Sequence, residues 1–391
     1  MSGEIVLSCE NLAVGYKRQV LSGVDVAFES GHFIALLGPN GVGKTTLLRT
    51  LSRHLKPLSG RVTLLGRDLQ SLPALELARQ MAVVLTDKSR PPLLSVFEYV
   101  ALGRYPHTGF MGRLSPRDVA VVEDALAAVA ASDLAPRLIE TLSDGERQKA
   151  VLARALAQDP KVLLLDEPTA HLDLKHRVEV MGILRDLCRM RGLTVIASLH
   201  DVDVAAKVSD RALLVKNGRV VDYGLPERVL TSEAVADLYD FAEADFSRHL
   251  GSIELRGDGS AGRAFVTAGL GHGAVIFRLL AKRGMAISTG VLAEGDLDTF
   301  VAEALGATAF VRRNGDAAES LLPQATAALE GCAFVIDGGP QTGPTAETNR
   351  KILSAAAARG LPVLPRETSA DLAKLAAAMD GLQASRSAAS F

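Results

Sequence analysis

Cysteine is scarce in this 391-residue chain, tryptophan is missing altogether, and aromatics make up 4%. Cys9, Cys188 and Cys332 are far apart, odd in number and without metal-ligand spacing. A disulfide framework and a zinc site are therefore not expected, and the thiols read as unpaired in a reducing cytosol. Excess charge is also missing. Charged residues are 23% and the formal net charge is -2, which excludes the concentrated basic surface of a nonspecific nucleic-acid binder. No apolar run approaches the roughly 20 residues that span a bilayer. Met1-Ser2-Gly3-Glu4 has neither the basic nor the apolar region of a secretory signal. No internal repeat is visible. Apolar residues are plentiful at 48%, enough for the cores of roughly two or three domains at this length.

Several runs read as strands. Ile5 to Leu7 and Val24 to Phe28 are short and apolar; Phe33 to Leu37, Val162 to Leu165 and Thr194 to Ala197 are continuous, as buried strands are. A helix is expected from Lys44 to about Leu55. Strands alternating with helices predict a parallel sheet covered on both faces. A mostly helical insertion, about 88–159, interrupts the pattern and includes an alanine-rich amphipathic stretch from Asp118 to Ala131. Arg256 to Gly262 is small, polar and glycine-rich, and reads as the linker that ends a domain at residue 256. A second α/β set follows over 263–380, with strands at Ala264 to Thr267, Met285 to Ser288, Ala309 to Val311 and Ala333 to Ile336. The last residues, 381–391, are rich in Ser and Ala and are expected to fray.

Gly38-Pro39-Asn40-Gly41-Val42-Gly43-Lys44-Thr45 matches G-x-x-x-x-G-K-[ST], with an apolar strand before it and a helical pattern after. Glycines let the backbone curl so that successive N–H groups face phosphate oxygens, and the helix adds the positive end of its dipole. Lys44 is expected on the β- and γ-phosphates, Thr45 on Mg²⁺ and Thr46 on the α-phosphate of ATP. In Val162-Leu163-Leu164-Leu165-Asp166-Glu167-Pro168 an apolar strand carries two acids at its C-terminal end, where open α/β sheets bind ligands. Asp166 is the second candidate metal residue, and Glu167 the candidate base that polarises the attacking water.

Leu142-Ser143-Asp144-Gly145-Glu146-Arg147-Gln148 resembles the signature sequence of the ABC ATPases, with Asp144 at a position that is often Gly. The resemblance spans residues 5 to about 255. It implies a RecA-like P-loop core with a helical subdomain, ATP and Mg²⁺, and a head-to-tail homodimer. In such a dimer Ser143, Gly145 and their neighbours Asp144 and Glu146 meet the nucleotide held by the other copy. By the same resemblance Asp173 belongs to a loop that reaches across the dimer. His200 is the switch histidine at the γ-phosphate, and Tyr16 the aromatic that stacks on adenine, with an ordinary surface tyrosine as the alternative. One position departs: Thr86, followed by Asp87, stands where the family usually has a metal-sensing Gln.

Glu98-Tyr99-Val100-Ala101-Leu102-Gly103-Arg104-Tyr105-Pro106-His107-Thr108-Gly109, continuing through Phe110 to Leu114, resembles the subfamily energising uptake of iron-siderophores, haem and vitamin B12. That implies a polytopic membrane permease, an extracytoplasmic substrate-binding protein and a peripheral place on the cytoplasmic face of the cell membrane. A soluble ABC-type ATPase, an exporter half and a sensor coupled to no permease are the rival readings. Residues 263–380 resemble a Rossmann-like domain appended to some corrinoid-linked members. Gly269-Leu270-Gly271-His272-Gly273-Ala274 approximates a dinucleotide loop, yet the second strand is expected to end near Thr289 without a ribose-holding acid. The loop, Gly290, Asp296 and Asp337-Gly338-Gly339 are expected around one crevice, for a small ligand or for pairing with a second copy. An inert packing module is the alternative there.

Overall fold

The computed structural model describes residues 3–85, 93–109, 112–170, 172–240, 244–340 and 342–389. They divide into two compact units, Met1–Leu230 and Thr231–Phe391.

The first unit contains β1 (Ile5–Gly15), β2 (Gln19–Glu29), β3 (Phe33–Leu37), β4 (Ser59–Leu64), β5 (Arg67–Asp68), β6 (Met81–Val84), β7 (Val162–Asp166), β8 (Thr194–Ser198), β9 (Arg211–Lys216) and β10 (Arg219–Gly224). One sheet is antiparallel, in the order β2-β1-β4-β5. The other runs β10-β9-β3-β8-β7-β6 and is parallel except for β10. Every residue of β3, β7 and β8 is buried, which is why these strands read as unbroken apolar runs. The two sheets share one core. Leu7, Leu12 and Phe28 of the first pack with Ile34, Leu36, Leu164 and Ile196 of the second, each stabilising the fold by about 1.5–3 kcal/mol.

Between β6 and β7 lie the helices Val96–Ala101, Pro116–Ala128 and Asp144–Ala157. Their junction is pinned by the buried Arg104. Its Nε donates to Asp118 Oδ1 (2.9 Å) and its Nη1 to the Ala157 carbonyl (2.8 Å). Hydrogen bonds from Ser115, with help from Arg104, hold the Asp118 carboxyl down at about 2. No helix of the described residues is long and apolar enough to cross a membrane.

The second unit opens with the helix Ser232–Tyr239, followed by a hairpin of β11 (Ala244–Ser247) and β12 (Ser252–Leu255). Its main sheet comprises β13 (Arg263–Thr267), β14 (Ala286–Ala293), β15 (Thr308–Arg312), β16 (Cys332–Asp337) and β17 (Val363–Leu364). All pairings are parallel, in the order β15-β14-β13-β16-β17. This is the doubly wound arrangement, with its switch point between β13 and β16. Side chains alternate between its faces: Ala264, Val266 and Ile336 enter one core, Phe265 and Val335 the other.

Four expectations differ from the structure. The division between units falls before the glycine-rich linker, because the helix Ser232–Tyr239 packs on β11 and the hairpin packs on the helix Leu297–Ala304. The helix from Lys44 stops at Leu51, where Arg53 takes a left-handed φ of 62°. β14 does not end near Thr289 but continues to Ala293. The tail is helical from Leu372 to Ala389, with Leu382 against the core, in keeping with the helix propensity of its Ala, Leu and Arg residues.

Candidate nucleotide site

The glycine loop leaves β3 and enters the helix Lys44–Leu51. Its backbone tolerates no side chain at two points. Gly38 has φ 151°, and a Cβ there would run into the Val215 carbonyl; Gly43 has φ 111°, and a Cβ would strike Val20. The helix begins at Gly43 with no side-chain cap, so its first N–H groups have no side-chain acceptor. That end is built for an anion. Asn40, Gly41 and Val42 form the turn between, and Pro39 offers its carbonyl to the site's lysine. Lys44 is 6% exposed and curls back along the loop. Its Nζ donates to the carbonyls of Gly38 (2.6 Å) and Pro39 (3.0 Å). Burial pushes this ammonium below the usual lysine range, while Glu167 and Asp166 pull it back up.

β7 delivers the acids. Thr45 Oγ1 donates to Asp166 Oδ1 (3.1 Å), joining the two residues read as metal ligands. Glu167 follows at φ 52°, a left-handed conformation for a side chain that must turn into the site. Pro168 behind it disfavours the right-handed helical region. β8 brings His200, whose Nε2 lies 2.6 Å from Glu167 Oε1. Thr46 sits on the same first helical turn as Thr45. Tyr16 is 57% exposed, and its hydroxyl accepts from Arg49 Nη1 (2.7 Å), which ties this ring to the P-loop helix.

The signature residues are bonded among themselves. Ser143 caps the helix Asp144–Ala157 in a reciprocal box: Glu146 N–H donates to Ser143 Oγ (3.3 Å) and Ser143 N–H to Glu146 Oε2 (2.8 Å). Glu146 also takes Arg137 Nη1 (2.6 Å), and Asp144 takes Arg147 Nη2 (2.6 Å). Gly145 lies against the His176 ring so closely that a Cβ would overlap it. His176 Nδ1 is 2.8 Å from Asp173 Oδ1, and Asp173 caps the helix Leu174–Arg191. His176, unremarked in the sequence, therefore links two of the predicted elements. Thr86, Asp87 and His171 lie outside the described residues.

A hydroxyl and a carboxylate are too few to hold a cation alone. Among the described residues no group of three or more His, Cys, Asp or Glu gathers into a metal cage. The pair suits Mg²⁺, which takes a carboxylate or two and completes its shell with phosphate oxygens and water.

The second unit has its own glycine loop, between β13 and the helix Ala274–Ala281, with φ 153° at Gly269 and 80° at Gly271. Here the N–H groups already have anions. Asp296 accepts from Leu270 (2.6 Å) and Gly271 (3.2 Å), and Asp298 from Gly273 (2.9 Å) and Ala274 (2.8 Å). Burial pushes the Asp298 carboxyl upward, the charge of Asp296 adds to that, and the N–H bonds oppose it. Gly290 backs onto Asn349, whose side chain accepts from Val291 N–H (2.8 Å) and donates to the Val291 carbonyl (3.0 Å). Asp337 ends β16, near Thr267 Oγ1 (3.3 Å).

The ABC transporter family model matches residues 21–170, and that of the MJ0874 family residues 287–388. The uncharacterized ABC transporter ATP-binding protein MJ0873 of Methanocaldococcus jannaschii is 41% identical over 290 residues, 74% of this chain and 100% of that protein. The cobalamin import ATP-binding protein BtuD of Halobacterium salinarum is 36% identical over 295 residues, 74% of each chain. The ferric enterobactin transport ATP-binding protein FepC of Escherichia coli is 38% identical over 231 residues, 59% of this chain and 85% of that one. Among solved structures, cbiO1 of Clostridium perfringens matches with TM-score 0.54 and 29% identity, covering 60% of this chain and 94% of that one. The dimeric bacterial ABC transporter cassette MJ0796 matches with TM-score 0.50 and 27% identity, covering 56% and 98%.

Proposed function

The chain is an ATP-binding, ATP-hydrolysing member of the ABC transporter family, and from that premise we propose that two copies close head to tail on two nucleotides to drive import of a chelated-metal cargo. The cargo class is cobalamin, iron-siderophore or haem, with cobalamin favoured. The match to the cobalamin importer subunit is longer than the first unit and so reaches into the second.

One observation carries the dimer. Lys44, Thr45, Asp166, Glu167 and His200 share one site, while the described bonds of Ser143, Asp144 and Glu146 run to Arg137, Arg147 and each other. The signature end is already closed by its own Ser143–Glu146 box, so we assign it to a partner's nucleotide on the family resemblance, with the phosphate taking up N–H groups of that end when the dimer closes. Asp173, exposed at the start of its helix, is assigned to the same seam by the family resemblance.

In the closed dimer the loop N–H groups and Lys44 hold the β- and γ-phosphates. Thr45 and Asp166 hold Mg²⁺, which neutralises phosphate charge when bound. His200 orients the Glu167 carboxylate, which takes a proton from the attacking water. Tyr16 stacks on the adenine. Hydrolysis reopens the seam. The helical segment before β7 passes the motion to a polytopic permease on the cytoplasmic side of the membrane, served outside by a substrate-binding protein.

Glu167→Gln keeps the shape and removes the base. ATP affinity is expected to hold, turnover to fall about a hundred-fold or more, and an ATP-dependent dimer to accumulate in size-exclusion chromatography. A variant that turns over normally, or stays monomeric with ATP, would refute this reading.

A further inference from the structure

We propose that Ser198 is a positioning residue for hydrolysis, setting the metal-side carboxylate and the catalytic glutamate with one hydroxyl; this rests on the ATPase reading above. Ser198 is fully buried at the end of β8, in register with Asp166 on β7. Its Oγ donates to Asp166 Oδ1 (2.7 Å) and accepts the Glu167 N–H (2.9 Å). A single hydroxyl therefore uses its proton on one functional residue and a lone pair on the next.

Each bond has a separate consequence. The first fixes the Asp166 carboxylate in the rotamer that also receives Thr45. The second anchors a backbone N–H at the one non-glycine residue of the described site with a left-handed φ, 52° at Glu167. That conformation is uncommon for a side chain larger than glycine and persists only where its surroundings hold it. With the backbone held there, the Glu167 side chain meets His200 at 2.6 Å. Ser198 touches neither nucleotide nor water in this account; it acts through its two neighbours.

Outer-shell partners of metal ligands typically matter by about 10–100-fold in metal affinity or rate. In the full-length protein, Ser198→Ala is expected to lower kcat by at least about ten-fold and to raise the Mg²⁺ concentration needed for half-maximal rate by a similar factor. A readout independent of turnover uses the Glu167→Gln background with ATP. There Mn²⁺ affinity, read by electron paramagnetic resonance, is expected to weaken on adding Ser198→Ala, while metal-free ATP affinity and the melting temperature hold. Unchanged metal dependence and kcat in Ser198→Ala would overturn the proposal. So would a loss of metal-free ATP binding and of cooperative melting together, which would make the hydroxyl merely structural. A parent protein that neither binds nor hydrolyses ATP would instead remove the underlying function.

Discussion

Asp298 gives the sharpest test of how the second unit is built. It is fully buried, and its carboxylate accepts from Gly273 N–H at 2.9 and 3.0 Å and from Ala274 N–H at 2.8 Å. Asp298→Ala leaves two buried donors without an acceptor, at about 1–3 kcal/mol each, so a total of roughly 2–6 kcal/mol is expected. Asp298→Asn behaves differently. Its one carbonyl can stay where Oδ1 now takes both donors, and the buried charge is gone. Because the carboxyl is raised above its ordinary 3.8, the folded state binds the proton more tightly than the unfolded one. Stability from this group is therefore present at low pH and declines as pH rises through the raised value. At neutral pH the Asn variant should lose about 1 kcal/mol or less, and the Ala variant several. Hydrogen exchange on the full-length protein, followed in peptides covering 268–281, measures both. An Ala variant exchanging like the parent, or an Asn variant as damaged as Ala, would refute the assignment.

The remaining predictions use the same contacts. Lys44→Ala should abolish all ATP binding in calorimetric titration, since the second glycine loop is filled by carboxylates; a residual site would contradict that. Asp118, held down at about 2 from an ordinary 3.8, contributes stability above pH 3.8 that is lost as pH falls through 2. Asp118→Asn should flatten that acid limb in near-ultraviolet circular dichroism, and an unchanged limb would count against the Ser115 cap on that carboxylate and the Arg104 contact beside it. Gly145→Ala should impair hydrolysis even with the smallest added group, because the new methyl meets His176; normal turnover would refute that packing.

Much of the first unit was legible because its physics is local. Val162 to Leu165 reads as a buried strand because both its faces are covered, which leaves no polar alternation in the run. The P-loop was legible because backbone cradles demand glycine at fixed spacing. Ser198 was not: one hydroxyl closing an apolar run carries no pattern, and its role appears only when Asp166 comes alongside. His176 was missed for a related reason, since its contact with Gly145 joins helices far apart in sequence. In the second unit Gly290 reads as a strand end, yet β14 continues through it to Ala293. The strand tolerates that glycine because the Asn349 side chain fills the space a Cβ would take.

Because β14 runs to Ala293, the place for a ribose-holding acid lies beyond that residue, not at Thr289. Acids do follow the second strand: Glu294, Asp296 and Asp298, only a little beyond Ala293. Glu294 accepts from Asn314 N–H (3.1 Å), and the other two fill the glycine loop itself. The chain thus holds two glycine loops, each after a buried strand and before a helix, with opposite solutions to the same electrostatic demand. At Gly43 the helix starts without a side-chain acceptor; at Gly273 the protein supplies the anion from its own next helix. A phosphate entering the second loop would have to expel Asp298, exchanging one anion for another in a buried place and stranding the displaced carboxylate beside Asp296. The loop's N–H groups are already satisfied by Asp296 and Asp298, so this glycine loop is a poor place for a phosphate.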